Sequence, residues 1–147
     1  MKEDIKIWDI TNKRFITEFE PVDSRYRLEK AILDDALILG DNFLLVQHNL
    51  EISENNKIDF LVIDKDANLC IVLFQLALPT SEFMGLALNM ASHVQDFRLP
   101  EIKLLFESYH NKHFEETFVQ KFGTLPPTFN KQQRILLICS SLAITKE

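Results

Sequence analysis

The sequence predicts an α/β domain, a β-sheet covered by helices on both faces. Three observations carry that expectation. Three apolar strand-like runs occupy residues 42–78, joined by turns short enough to require antiparallel pairing. Apolar residues at helical spacing precede this meander and follow it. A last apolar run, "RILLICSSL" at 134–142, returns as one more strand and reads as a central, buried one.

The elements follow in order. "IKIWDITNKRFI" reads as a short hairpin, with Ile5 and Ile7 ahead of the turn signal Thr11-Asn12. We bound this hairpin at residues 4–17 and the core at 24–142, and expect residues 1–147 to form one domain. "PVDSRYRLEKAILDDALIL" is a helix. Ser24 suits its N-cap, Tyr26, Leu28, Ala31, Ile32 and Leu37 recur at helical spacing, and Gly40 stops it. The meander comprises "NFLLVQHNLEI", the turn "SENNK", "IDFLVID", the turn "KDAN" and "LCIVLFQLAL". After Pro79, Thr80 or Ser81 caps "SEFMGLALNMASHVQDF", whose Phe83, Ala87, Met90, Val94 and Phe97 form one stripe. Pro100 opens "PEIKLLFESYHNKH" from its favoured first turn. "FEETFVQKF" is a short helix stopped by Gly123, and "TLPPTFN" is an extended loop.

Composition narrows the function classes. The net charge of −6 and pI of about 5.2 weigh against broad electrostatic capture of nucleic acid. The nearest thing to a basic cluster is Lys13-Arg14 with Arg25, Arg27 and Lys30, which reads as a solvated face. Cys70 and Cys139 each sit in an apolar run, as small buried hydrophobes of a reducing compartment do. No apolar run approaches the ~20 residues of a membrane span, and the N-terminus has no signal-like apolar region. These features lead us to expect a soluble cytoplasmic protein with no membrane partner.

Other chemistries lack the residue patterns they need. His110 and His113 in "HNKH" have a spacing that can ligate zinc on a helix, with Glu115 and Glu116 nearby. Without an HExxH or cysteine context, histidines placed favourably at a helix C-terminus are the preferred reading. Cys70, Cys139 and Ser140-Ser141 lack the sharp glycine-flanked turn of a nucleophile elbow. There is no glycine-rich phosphate loop. Asp64 and Asp66 at the hairpin tip serve turn and solvation roles.

Asp59 remains, an acid inside an apolar strand run. By itself it reads as a carboxylate paired with a backbone amide or a basic neighbour. The order of motifs around it resembles the restriction-endonuclease-like (PD-(D/E)XK) nuclease superfamily, and within it NucS-type endonuclease domains. Leu28-Glu29 matches that family's helical "LE". "IDFLVIDKDANL" matches its "IDLLAIDKDGNL", "IVLFQ" aligns with "VVVELK", and residues 86–92 align with "QALxYAS". "LPPTFNKQQRILLI" matches its proline-asparagine loop and last strand. The resemblance implies a three-layer sandwich, a central mixed sheet flanked by helices. It also implies a site in which an Asp and a Glu on neighbouring strands hold Mg²⁺ beside an attacking water, with a Lys two residues on.

This chain departs from that site. Counted from Asp59, the family's Glu falls on Leu73 and its Lys on Gln75. The helix Gln and Tyr fall on Leu86 and Met90. By that resemblance Glu29, Asp59, Leu73, Gln75, Leu86 and Met90 are the remnant site, with no residue assigned a catalytic role and no cofactor expected. If Leu86 and Met90 meet Leu73 across the sheet, each buried side chain contributes roughly 1.5–3 kcal/mol. The expectation is a catalytically degenerate nuclease-fold module that binds a protein partner, a second copy or nucleic acid. The alternative is a Mg²⁺-dependent DNA endonuclease using Glu29 and Asp59.

Overall fold

The computed structural model describes residues 8–9, 14–15, 25–34, 42–54, 56–75 and 81–139; for residues 8–9, 14–15, 25–29, 75 and 139 it describes the main chain only. β1 (Trp8–Asp9) pairs antiparallel with β2 (Arg14–Phe15), Trp8 opposite Phe15. α1 (Arg25–Asp34) follows. Ser24, Leu37 and Gly40, expected to bound and line this helix, lie outside the described residues.

β3 (Leu44–Ser53), β4 (Asn56–Ile63) and β5 (Leu69–Gln75) form the expected antiparallel meander. The sequence predicts β5 as far as Leu78; residues 76–80 lie outside the described residues. The β4–β5 turn is set by its own side chain: Asp64 Oδ1 accepts the amides of Asp66 at 2.9 Å and Asn68 at 3.0 Å. β6 (Arg134–Cys139) pairs in parallel with β5, from Cys70 opposite Arg134 to Gln75 opposite Cys139. The order is β3-β4-β5-β6, so the sheet is mixed.

β6 is not central: among the described residues it ends the sheet, and Ile135 to Ile138 are half-buried. Its run is apolar because Ile135 and Leu137 pack on one face while Leu136 and Ile138 pack on the other.

Between β5 and β6 the chain makes α2 (Ser81–Val94), α3 (Leu99–His110) and α4 (Phe114–Phe122), the long crossover that parallel pairing needs. α2 stops at Val94 rather than Phe97. The Arg98 guanidinium donates to the carbonyls of Gln95 and Phe97, both at 2.9 Å, and so ends the helix. Pro100 lies in the first turn of α3, and Glu101 accepts the Arg98 amide at 2.7 Å. Glu107 of α3 accepts the Phe114 amide at 3.1 Å and so caps α4. Gly123, at φ 101, closes α4.

The sheet divides two apolar clusters. On one face Leu61, Ile63, Ile71 and Leu73 pack with α2, α3 and α4 through Ala87, Met90, Val94, Ile102, Phe106, Phe114 and Phe118. On the other, Phe60, Val62, Cys70, Val72 and Phe74 pack with Ile32 of α1. Helices therefore cover both faces, the three-layer α/β sandwich expected from the sequence.

Asn130 ties the crossover to the sheet. It is buried, at φ 60, and its amide donates to Ala67 O at 2.7 Å. Its Nδ2 donates to Val94 O at 2.7 Å and Phe97 O at 3.0 Å, while its Oδ1 accepts the Leu69 amide at 3.3 Å.

Candidate functional site

The site lies where β4 and β5 part. Their ladder runs from Ile63 opposite Leu69 to Phe60 opposite Val72. Beyond that pair β5 continues against β6 through Phe74 and Gln75. Asp59 sits at the fork. Its Oδ2 accepts the Phe74 amide at 2.8 Å, and the residue is 4% exposed. A main-chain donor on β5 therefore answers this acid. A carboxylate accepting a buried amide makes a charge-assisted bond, roughly twice as strong as a neutral one.

Leu73, Met90 and Leu86 all belong to the α2 side of the sheet. Leu73 is 1% exposed and Met90 4%, and both belong to the cluster on the α2 side of the sheet. Leu86, one turn before Met90, is half-buried against the same cluster. Gln75 pairs through its main chain with Cys139. The side chains of Gln75 and Glu29 lie outside the described residues, as do Ser140 and Ser141.

The two histidines do not form a pair on one helix. α3 ends at His110, and His113 is the N-cap of α4. A His110 ring nitrogen bonds Leu45 O at 2.7 Å, and the ring stacks on Phe106 at 4.2 Å. Burial chiefly holds its pKa below the ordinary 6.5, with Lys112 adding to the effect and the Leu45 bond opposing it. His113 is exposed, 4.0 Å from the Glu107 carboxylate.

Sequence reading missed Asn49. Residues either side of it pair regularly, His48 with Phe60 and Leu50 with Ile58, which places it across from Asp59. It has φ 55. A strand asparagine beside a hydrophobic alternation that fails to continue was the available signal. Cys70 is buried, consistent with a packing role.

Among the described residues, no three His, Cys, Asp or Glu side chains gather as a metal-binding group, and no helix is long and apolar enough to cross a membrane. No protein-family model matches the chain, and no curated protein matches it. Among solved structures, it is similar to the crystal structure of a repair endonuclease from Pyrococcus abyssi, at 10% sequence identity and a TM-score of 0.49. That match covers 88% of this chain and 43% of the endonuclease chain, so this chain spans less than half the length of that protein.

Proposed function

We propose that the chain is a catalytically degenerate nuclease-fold module whose work is binding, foremost to a protein partner or a second copy of itself. The carrying observation is the pairing of Asp59 with the Phe74 amide beside a buried Leu73. In the nuclease pattern that the sequence resembles, position 73 supplies the second carboxylate. Here it supplies a side chain of the apolar cluster.

The described donors do not fit a hydrated Mg²⁺, which takes near-octahedral oxygen ligands and keeps several waters. Leu73, Leu86 and Met90 offer no oxygen, and one Asp59 oxygen is already engaged by main chain. Nucleic-acid binding ranks below protein binding because the chain carries a net charge of −6.

The test uses purified protein with labelled single- and double-stranded DNA and RNA in Mg²⁺ or Mn²⁺. No cleavage above a protein-free control is expected. Cleavage that disappears in Asp59→Ala overturns the reading and establishes the metal-dependent alternative using Glu29 and Asp59. A gel shift that weakens steeply with salt transfers the binding role to nucleic acid.

A further inference from the structure

We infer that Asn49 is a positioning residue for this site: its left-handed backbone turns the β3–β4 hairpin over and so commits the Asp59 carboxylate to the β5 main chain. The inference rests on reading Asp59 as the acid of the remnant site.

On a regular strand, residues i and i+2 share a face. His48 stacks on Phe60 at 4.6 Å, and Phe60 belongs to the cluster on the α1 side. Two residues along, Leu50 and Ile58 pack into the opposite cluster, with α2 to α4. Both strands thus turn over between the pairs His48–Phe60 and Leu50–Ile58. The register does not slip between those two pairs, as it does between Leu45 and Gln47. No inserted residue separates these pairs, so backbone torsion carries the change of face. On β3 the positive φ in that interval belongs to Asn49, at φ 55, and β4 follows its paired partner. Asparagine is among the few L-residues that enter this region readily.

The consequence falls on Asp59. Under regular alternation it shares the face of Leu61, and its carboxylate stands over the cluster that holds Leu73 and Met90. The turnover instead lets Oδ2 reach the Phe74 amide. Asn49 thereby decides whether the retained acid is a main-chain cap or a group offered to a ligand on the α2 side.

The experiment is amide hydrogen exchange by NMR on the full chain, reading Phe74 against Val72 on the same strand. Wild type and Asn49→Gly are expected to give the same Phe74-to-Val72 ratio, because glycine adopts positive φ freely. Asn49→Val and the milder Asn49→Ala are expected to raise that ratio roughly ten-fold or more, the factor for losing one charge-assisted bond. General destabilisation accelerates both amides together and leaves the ratio unchanged. A ratio that stays at the wild-type value in a folded Val or Ala variant overturns the inference. So does a glycine variant that behaves like the alanine one. DNA cleavage by wild type removes the degenerate-nuclease reading and leaves this ratio untouched, so the two failures are distinguishable.

Discussion

Replacing Asp59 should destabilise the protein, and the sign of that effect separates a structural acid from a functional one. Asp59→Ala removes a buried carboxylate whose Oδ2 accepts the Phe74 amide at 2.8 Å. A hydrogen bond to a charged group contributes about 1.5–3 kcal/mol net, and the orphaned amide keeps its desolvation cost. For a chain of 147 residues, each kcal/mol moves Tm by about 2–4 °C. The expected fall is therefore about 3–12 °C by scanning calorimetry, with a matching shift of the urea midpoint. Asp59→Asn keeps the shape and an oxygen acceptor but loses the charge, so it should cost about 1 kcal/mol. Acids kept for function behave oppositely, since removing a strained site group commonly stabilises a protein. An unchanged or raised Tm in Asp59→Ala refutes the structural assignment.

Three further outcomes follow from the packing. Leu73→Ala should lose about 2–5 kcal/mol in urea denaturation, the range for emptying a buried leucine site; a loss under 1 kcal/mol means that the region is not packed. Asn130→Ala should lose about 3 kcal/mol or more, because Val94 O, Phe97 O and the Leu69 amide lose a partner and alanine is strained at φ 60. Asn130→Gly, which relieves only the torsion, should recover a minor part of that loss in the same assay. His110 should make the protein acid-sensitive: its folded pKa lies below the ordinary 6.5, so the unfolded chain takes the proton first as pH falls. Its contribution is thus present above about pH 6.5 and lost below it, and His110→Gln should lose less stability between pH 7.5 and 5.5 than wild type does. Equal losses in the two proteins refute this assignment.

The sequence by itself determined the order and type of the elements. Period-two runs, helical stripes, Pro100 and Gly123 are local signals, and local signals survive without knowledge of partners. It also singled out Asp59 as the acid to explain and, through the resemblance, Leu73, Leu86 and Met90 as the apolar side chains expected near it, because motif spacing is a property of the chain. Tertiary structure decided what those residues touch. A backbone amide has no side-chain signature, so no reading of residue types could show that the Phe74 N–H meets Asp59. An apolar run looks the same in a central and a terminal strand, so β6 was placed by its parallel pairing with β5 alone. The turnover at Asn49 depends on two strands changing face together, and Asn130 depends on three segments meeting. Those contacts join residues far apart in the chain, and only the folded chain brings them within hydrogen-bonding range.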